Sequence, residues 1–408
     1  MKFNTALLHS TPLGDEATGA TQTPIYQSSA FYQSSALQHE KLFHNKAAGY
    51  SYTRINNPTI AAFENKMTAL EEGVASVACA SGMAAITNAL LNIVGNGQEI
   101  LASTSLYGGS IDLFHDLEAF GIQTIFVDID DLDEVEKKIT DKTRVIFAET
   151  IGNPKLDVVD IPALAVLAHA HGLPLLMDNT VATAYLTKPL KLGADIVVNS
   201  TSKYINGNSD AISGVITEAG TFKWDAKKYP GLQPYRPFGK FAFTAKLRNG
   251  LFRNMGACLA PQTAFYNMLG METLGLRMER CCSNALTLAK HLEELPGVTV
   301  NYPGLASSKW HEVADRVLEN GYGAIITIRV GSKEKAFQVI DSLKIPKIVS
   351  NIGDTKSLVI HPESTLNAHS TEKEKEDAGV FDDLIRISVG IEDIEDLLED
   401  FDQAILEK

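Results

Sequence analysis

The segment NSTSKYING, residues 199–207, places one lysine behind three hydroxyl side chains at the end of an apolar run. That run, ADIVV, is typical of a buried strand. A lysine in a dehydrated pocket can lose its proton and form a Schiff base with an aldehyde, and the hydroxyls of Ser200 and Ser202 could bind a phosphate. Lys203 is therefore a candidate nucleophile. The alternative is a solvated loop position, which is the commonest environment of lysine.

Two other predicted strands end in residues that could bind a ligand. In SVACASGMAA, the residues Ser81, Gly82 and Met83 stand where a strand gives way to a helix. N–H groups at a helix N-terminus, with glycine allowing close approach, suit an anion such as phosphate, although an ordinary N-cap turn explains the same residues. LPLLMDNT ends its strand with Asp178, which is either an N-cap or the partner of a buried cation.

Three further side chains are candidates with an equally ordinary alternative. Tyr107 lies between a strand and a Gly-Gly turn, where it could stack on a cofactor ring or pack as a half-buried tyrosine. Arg386 lies inside the strand DLIRISVG, where it is costly unless paired. Its planar fork suits a substrate carboxylate, and a structural salt bridge is the alternative. Glu149 ends another strand just before Asn153-Pro154, which a turn explains.

These candidates together match the needs of one cofactor. A pyridinium nitrogen needs an acidic partner, an aldehyde needs a lysine, and a phosphate needs N–H and hydroxyl donors. The sequence places an acid, a lysine and a phosphate-binding turn at the ends of different predicted strands. Together these three features favour pyridoxal phosphate as the cofactor. A nucleotide cofactor is not supported, because VGNGQEI has Gly95 and Gly97 but no third glycine at the fingerprint spacing.

The elements that must position these residues alternate along the chain from Pro58 onward. Helices are predicted at PTIAAFENKMTALEEG, MAAITNALLNIVG and IPALAVLAHAHG, and strands at SVACASG, QEILAS, GIQTIFVD, TRVIFAET, LPLLMDN and ADIVVNS. Such alternation predicts an α/β fold with a mostly parallel sheet and helices on both faces. In such sheets ligands bind outside the carboxyl ends of the strands, which is where the candidate residues fall.

The pattern divides the chain into three predicted parts. Residues 1–57 are irregular, and their aromatic residues favour docking over disorder. Residues 58–255 form the large sheet domain. Residues 256–408 form a smaller α+β domain. It contains a long helical stretch over 260–295, which we expect to form either one helix or two. Strands VTVNY, GAIITIRV and LIRISVG follow, with a helix at SKEKAFQVIDSL and an acidic terminal helix. We interpret the charge run STEKEKEDAG as a solvated loop.

Composition excludes several classes of function. The chain has 408 residues, of which 45% are hydrophobic, and a net charge of −14, which disfavours nucleic acid as a partner. Its four cysteines form no CxxC pair, so neither a disulfide framework nor a metal site is predicted. The N-terminus lacks the pattern of a signal peptide, and no apolar stretch approaches the length that spans a membrane. We expect a cytoplasmic protein.

The motifs YTRINNPT, SGMAA, YGG, DNT, NSTSK and LIRISVGIE together resemble those of the Cys/Met-metabolism pyridoxal-phosphate enzymes. This is the cystathionine γ-synthase-like group of fold type I, the aspartate-aminotransferase-like fold. Within it, RNMGACLAPQTAF, GMETLGLRMERC, NYPGL and IGDTKSLVIHPEST are most similar to O-acetylhomoserine sulfhydrylases. The resemblance runs nearly end to end, and it implies a large, mostly parallel sheet domain followed by a smaller α+β domain.

The resemblance also implies roles for individual residues. Lys203 would hold the cofactor as a Schiff base and, with Tyr107, move protons. Asp178 would pair with the pyridine nitrogen, and Arg386, helped by Ser350, would bind the substrate carboxylate. The full cofactor-binding set implied in this way is Tyr52, Arg54, Ser81, Gly82, Met83, Tyr107, Asn153, Asp178, Ser200, Ser202 and Lys203.

The resemblance further implies an oligomer. Tyr52 and Arg54, in YTR, would reach the phosphate of a neighbouring subunit, which makes residues 1–57 an arm shared between subunits. A dimer with shared active sites follows, and the family usually builds tetramers from such dimers.

The implied reaction is γ-replacement on O-acetyl-L-homoserine by a sulfur nucleophile, which gives L-homocysteine and acetate for methionine biosynthesis. The sulfur donor could be sulfide, a small thiol or sulfur carried on a protein. Methionine γ-lyase and cystathionine γ-synthase activities are alternatives, as is a non-catalytic pyridoxal-phosphate-binding protein. Two departures from the sulfhydrylase pattern stand out: Leu366-Asn367 replaces the usual Thr-His and displaces His369, and Ser202 replaces a threonine.

Overall fold

The computed structural model of the chain describes residues 1–12 and 14–406. Its larger sheet has seven strands: β1 Ala75–Cys79, β2 Glu99–Ser103, β3 Gln123–Val127, β4 Thr143–Glu149, β5 Leu175–Asp178, β6 Ile196–Asn199 and β7 Gly214–Glu218. Their order is β1-β7-β6-β5-β4-β2-β3. Neighbours from β6 to β3 pair in parallel, whereas β7 runs antiparallel to both β1 and β6. The mostly parallel sheet is confirmed, and β7 is a strand that the sequence analysis did not predict.

Within these described ranges, ten helices precede or surround this sheet. They are α1 Phe3–His9, α2 Ala36–Phe43, α3 Pro58–Glu71, α4 Gly82–Leu91, α5 Gly108–Glu118, α6 Leu132–Lys138, α7 Ile161–Ala170, α8 Thr183–Leu186, α9 Ala242–Asn249 and α10 Leu251–Met255, with 3₁₀ segments at Pro189–Leu192 and Pro230–Phe241. Local chemistry explains the predicted boundaries. Helix α3 starts at Pro58 behind Asn57, whose side chain accepts a hydrogen bond from the Thr59 N–H at 2.9 Å.

The second sheet has five strands: β8 Thr299–Asn301, β9 Ile325–Arg329, β10 Lys347–Ile348, β11 Leu358–Ile360 and β12 Leu384–Ser388. Their order is β10-β11-β12-β9-β8, and all pairs except β10–β11 are antiparallel. The accompanying helices are α11 Pro261–Glu272, α12 Leu274–Glu293, α13 His311–Val317, α14 Lys333–Ser342, α15 Glu372–Asp377 and α16 Ile394–Leu406. The helical stretch predicted over 260–295 is thus two helices, and the predicted α+β character is confirmed. The domain boundaries remain a prediction.

The N-terminal residues are more ordered than the sequence pattern indicated. The described part of residues 1–57 contains two helices where the sequence pattern looked irregular, and α1 docks on the rest of the chain through the buried Leu7. The Phe3 ring meets the Tyr185 ring edge-on, with centroids 5.1 Å apart. Both helices are short and weakly periodic, which is why the sequence pattern alone did not show them.

The interpretation of STEKEKEDAG as a loop was wrong. Six of its residues form helix α15, which begins with a capping box between Thr371 and Glu374. Lys375 donates to Glu363 at 2.9 Å and to Glu372 at 3.1 Å, which ties the helix to the preceding segment. The Thr-x-x-Glu signal was present in the sequence, but the charge run that surrounds it obscured the helix.

Both sheets are covered by apolar side chains. On one side of the large sheet, the ring of Phe147 in β4 meets the ring of Phe114 in α5 edge-to-face, with centroids 5.2 Å apart. Ile326, Ile387 and Phe401 lie in the separate core of the small sheet. Among the residues that the structure describes, no helix is long and apolar enough to cross a membrane.

Candidate active site

A cavity of about 380 Å³ lies where the carboxyl ends of the large sheet's strands face the small sheet. Ser81, Asp178 and Ser200 line it from the ends of, or just beyond, β1, β5 and β6, and Arg386 enters it from β12. Of the thirteen residues predicted for the site, eleven line this one cavity: Ser81, Gly82, Met83, Tyr107, Asn153, Asp178, Ser200, Ser202, Lys203, Ser350 and Arg386.

One end of the cavity is formed by the start of helix α4. The Ser81 hydroxyl accepts a hydrogen bond from the Ala84 N–H at 3.0 Å and so caps the helix. The first N–H groups of a helix have no intrahelical partner and carry a partial positive charge. A Cβ on Gly82 would lie 2.6 Å from the Ser200 Cβ, so only glycine allows this close approach. Main-chain donors and the Ser200 hydroxyl therefore converge on a space suited to a phosphate.

Ser202 lines the same cavity, but its hydroxyl is already used within the protein. It donates to the Ser213 carbonyl at 3.0 Å and accepts from the Ser213 N–H at 2.8 Å. These bonds fix the start of β7 to the loop that carries Lys203. To donate to a phosphate, Ser202 would have to give up its bond to the Ser213 carbonyl.

Among the described residues, the carboxylate of Asp178 accepts hydrogen bonds only from Thr180. Thr180 donates to its Oδ1 twice, from the main-chain N–H at 2.9 Å and from the hydroxyl at 2.5 Å, and also accepts from the Ser200 N–H at 2.8 Å. Burial raises the pKa of Asp178 to about 6, against the hydrogen bonds from Thr180. A cation at this position, such as a protonated ring nitrogen, would favour the ionised form. The sequence analysis did not single out Thr180, although it lies within the DNT motif.

A second carboxyl group lies beside Asp178 on the neighbouring strand. Glu149 pairs with Asp178 in the register of β4 and β5, and its Oε1 accepts from the Tyr107 N–H at 2.6 Å. Burial, followed by the negative charge of Asp178, raises the pKa of Glu149 well above its usual value. The raised pKa favours the neutral form of Glu149, and its hydrogen bond fixes the main chain of Tyr107, which lines the cavity. The sequence analysis had given Glu149 little weight.

Lys203 points into the cavity and contacts a residue that sequence analysis did not identify. Its Nζ donates to the Asn351 Oδ1 at 2.5 Å. Burial, with the nearby charge of Arg386, lowers the pKa of Lys203 to about 8. Part of the lysine population is therefore the neutral amine near neutral pH, which is the form that attacks an aldehyde.

Arg386 is buried, and its contacts are with neutral groups. Its guanidinium donates to the Asn153 side-chain oxygen at 3.2 Å and to the Asn351 carbonyl at 3.0 Å, and its Nε has no hydrogen-bond partner within residues 1–12 and 14–406. Burial lowers its pKa to about 10. Since both acceptors are neutral, the salt-bridge alternative finds no support and the cation is available to a carboxylate. Ser350 lines the cavity nearby.

Tyr52 and Arg54 do not reach this cavity within the single chain. Tyr52 is 43% exposed, and the Arg54 guanidinium lies 5.5 Å from its ring centre. Arg54 donates to the Arg253 carbonyl at 2.6 Å. Their expected role in a neighbouring subunit remains a prediction.

The segment that departs from the sulfhydrylase pattern borders the cavity. Leu366 lines it, and a Cβ on Gly108 would lie 2.7 Å from the Leu366 carbonyl oxygen, so the segment packs tightly on the start of α5. Asn367 is buried, and its side-chain oxygen has no hydrogen-bond partner in the described part of the chain. The substitution at position 366 therefore changes a wall of the site.

The groups in this cavity fit pyridoxal phosphate. The cavity brings together the main-chain N–H groups at the start of α4, where Gly82 allows close approach, and the carboxylate of Asp178. It also contains the amine of Lys203, whose pKa is lowered. The cavity is large enough for the cofactor, which needs a phosphate site, an acid and a lysine. The fold and the site together define a pyridoxal-phosphate-dependent enzyme of fold type I.

Comparison with known proteins agrees with that class. A family model described as Cys/Met metabolism PLP-dependent enzyme matches residues 4–406, and the chain belongs to this family. The chain is 42% identical to O-acetyl-L-homoserine sulfhydrylase of Leptospira meyeri, covering 99% of this chain and 96% of the relative. It is 40% identical to L-methionine gamma-lyase of Fusobacterium nucleatum, covering 95% and 94%.

A solved structure from Campylobacter jejuni, described as an O-acetylhomoserine (thiol)-lyase, superposes with a TM-score of 0.95 at 32% identity and covers both chains completely. That protein carries an N'-pyridoxyl-lysine-5'-monophosphate residue. The predicted family, fold and cofactor are therefore confirmed. The identities alone do not separate replacement from elimination, because a lyase and a sulfhydrylase are almost equally similar to this chain.

Proposed function

We propose that the enzyme catalyses γ-replacement on O-acetyl-L-homoserine, in which a sulfur nucleophile displaces acetate from Cγ and L-homocysteine is formed. The observation that carries this proposal is end-to-end similarity to several relatives named O-acetyl-L-homoserine sulfhydrylase or homocysteine synthase, and not to one alone. Arg386 supports an amino-acid substrate independently, because a buried cation that contacts only neutral acceptors among the described residues suits a carboxylate. The reaction would supply homocysteine for methionine biosynthesis.

Each residue then has a specific task. When bound, pyridoxal phosphate supplies an electron sink for the negative charge that develops on the amino acid. Lys203 would hold the cofactor and, once its amine is free, move protons at Cα and Cβ of the substrate. Asp178 would keep its charge beside the ring nitrogen, and Arg386, with Ser350, would fix the substrate carboxylate. Tyr107 would lie against the ring and assist the proton transfers.

The cofactor's phosphate would be held at the α4 end of the cavity. Ser81, Gly82, Met83 and Ser200 line this end, and the main-chain N–H groups of Gly82 and Met83, with the hydroxyls of Ser81 and Ser200, would donate to the phosphate. Asn153 would lie near the cofactor's phenolic oxygen, where its bond to Arg386 links the cofactor to the substrate-binding arginine.

The test is to mix the purified enzyme with O-acetyl-L-homoserine, with and without sulfide, and to follow homocysteine and 2-oxobutyrate together. Homocysteine that forms only with sulfide would establish γ-replacement. Oxobutyrate that forms regardless of sulfide, with no homocysteine, would instead establish the γ-lyase reaction, which the Fusobacterium relative favours. Cysteine as the nucleophile tests the cystathionine γ-synthase alternative, and small thiols or a protein carrying sulfur are the remaining donors to try.

We also propose a cytoplasmic homotetramer built of dimers that share active sites. Tyr52 is half exposed and outside the cavity of its own chain, as is Arg54, which supports a role in a neighbouring subunit. Mixed dimers test this arrangement. Arg54→Ala and Lys203→Ala chains, inactive alone, should regain up to about a quarter of the activity when co-expressed, because some dimers then contain one intact site. No regain in hybrids shown to form would contradict shared sites.

A further inference from the structure

Asn351 occupies the position between the two charged side chains of the cavity. Its side-chain Oδ1 accepts from the Lys203 Nζ at 2.5 Å, and its main-chain carbonyl accepts from the Arg386 guanidinium at 3.0 Å. One residue thus contacts both the amine that would hold the cofactor and the cation that would bind the substrate. It lies on the segment between β10 and β11, outside any helix or strand.

A chain of hydrogen bonds determines which end of the Asn351 amide faces the lysine. The Asn351 Nδ2 donates to the Ser209 hydroxyl at 2.9 Å, and that hydroxyl donates to the Asp354 Oδ2 at 2.5 Å. Asp354 can accept because it is ionised: despite burial, hydrogen bonds from Lys356 and Ser209 hold its pKa below the usual value. Since the single Ser209 proton goes to Asp354, Ser209 must accept from the amide nitrogen. The amide oxygen is therefore directed to Lys203.

We propose that Asn351 is a positioning residue that holds the amine of Lys203, whenever that amine is free, beside the arginine that binds the substrate carboxylate. This inference rests on the role proposed for Lys203 as the group that alternates between cofactor and free amine. A free lysine side chain has four rotatable bonds and loses considerable entropy when it is fixed. The oriented amide oxygen removes that freedom in advance, so the amine stays close to the substrate carbon whose proton it moves.

The two contacts of Asn351 are made by different parts of the residue, which allows them to be separated. The Arg386 contact uses the main-chain carbonyl and survives any substitution, whereas the Lys203 contact uses the side chain. Asn351→Leu keeps the approximate shape and removes both side-chain contacts, to Lys203 and to Ser209, while the main-chain contact to Arg386 remains. Ser209→Ala removes the Ser209 contact by itself. We expect kcat to fall about tenfold and KM for the amino acid to change by less than about twofold, because the lost interaction acts on proton transfer and not on carboxylate binding.

A measurement on the amine itself separates positioning from a merely structural role. The full-length chain, freed of cofactor, is labelled with acetic anhydride over a range of pH, and the labelling of Lys203 is followed by peptide mass spectrometry. The charged or titratable groups that line the cavity around Lys203 are Arg386, Asp178, Glu149 and Tyr107, and all are unchanged in the variants. Any shift in the titration of Lys203 then reports on its contact with residue 351.

Three variants have expected shifts of different sign or size. Asn351→Leu should lower the pKa of Lys203 by about one unit, because the ammonium form loses a hydrogen-bond acceptor. Asn351→Asp should raise it by about one unit or more, because a carboxylate then faces the ammonium. Ser209→Ala should lower it by less than Asn351→Leu does, because the freed amide can turn its nitrogen toward the lysine. Asn301→Leu is the matched control: a half-buried asparagine in β8 that donates to the Lys155 carbonyl and should leave Lys203 unchanged.

The inference is overturned if folded Asn351→Leu and Asn351→Asp proteins show the same Lys203 titration as the wild type. It is also overturned if both variants shift the pKa in the same direction, since a general loosening of the site would do that. If one variant fails to fold, the sign for the other and for Ser209→Ala still decides. The labelling does not depend on the reaction catalysed, so an enzyme that proves to be a lyase would refute the proposed function and leave this result standing.

Discussion

At one end of the cavity, Ser81, Gly82 and Ser200 stand where strands of the large sheet end. At the other end, Arg386 projects from the small sheet, and Ser350 and Leu366 come from connecting segments. We call the first the cofactor end and the second the substrate end, after the roles proposed for their residues. The cofactor end presents main-chain N–H groups and a close approach that requires glycine. The second end depends on one buried cation and on loops, which tolerate change more easily.

This difference suggests how relatives with one cofactor can catalyse different reactions. The strand ends at the cofactor end are held in place by the pairing of the sheet, so we expect little variation there. The segment around Leu366 contacts the start of α5 through its main chain and can exchange side chains. A chain almost equally similar to a sulfhydrylase and a γ-lyase is therefore expected to differ from them mainly at the substrate end.

The largest effect is expected where the two ends meet. Lys203→Ala should abolish the visible absorbance of the lysine-bound cofactor and lower turnover by about four orders of magnitude, because both the anchoring amine and the proton-transfer group are lost. Absorbance spectra and initial rates measure this. Lys335→Ala, which removes a partly buried lysine that donates to the Ile405 carbonyl, is the control. A visible band that survives in the Lys203 variant would show that another amine holds the cofactor.

The cofactor end can be tested with two neighbouring carboxyl groups. Asp178→Asn should lower kcat by about 10²-fold, as expected for the loss of one preorganised charge. Glu149→Gln should change kcat by less than about threefold, because the raised pKa of Glu149 favours its neutral form and the amide oxygen can still accept from the Tyr107 N–H. Steady-state kinetics with both variants decides. Equal losses would mean that Glu149 is ionised in the working enzyme.

The substrate end depends on the shape of its cation. Arg386→Lys should lower kcat/KM for the amino acid by about 10- to 100-fold, mostly through KM, because an ammonium group cannot reproduce the planar fork. Cofactor absorbance should remain. Arg329→Lys, on the neighbouring strand β9 and paired with Asp383 at 2.7 Å, is the control. A loss of cofactor without a change in KM would show that Arg386 binds the cofactor and not the substrate carboxylate.

The smallest effect is expected for the segment that departs from the sulfhydrylase pattern. Restoring threonine and histidine with Leu366→Thr and Asn367→His should change the ratio of rates with sulfide and with a small thiol by about three- to tenfold, because a wall of the pocket changes while the cofactor contacts do not. Lys373→Ala on the exposed face of α15 serves as the control. An unchanged ratio together with an altered cofactor spectrum would place this segment at the cofactor end.

Most of the cofactor end could be predicted from the sequence. The apolar runs locate the strands, and ligands bind at their carboxyl ends, so the sequence pattern alone groups Asp178, Ser200 and Lys203. Thr180 was missed because threonine after Asp-Asn is also an ordinary turn residue. Strand β7 was missed because it follows β6 without an intervening helix, so the alternation of strands and helices does not mark it.

The substrate end was harder to predict. Asn351 lies 148 residues from Lys203 along the chain, and a polar residue in a connecting segment leaves no periodic signal. Arg386 could be suspected only from its position within an apolar strand. Helix α15 was missed because its capping signal stands inside a charge run.

The sequence by itself determined the types of chemistry this enzyme has available: a lysine, an acid and a phosphate turn, each at the end of an apolar strand, and an arginine within one. The tertiary structure decided which of these groups meet and in what state. Burial beside Arg386 lowers the pKa of Lys203, and the neutral acceptors around Arg386 leave its charge available to a carboxylate. Such effects depend on distance and desolvation between segments far apart in the chain, and residue order alone specifies neither.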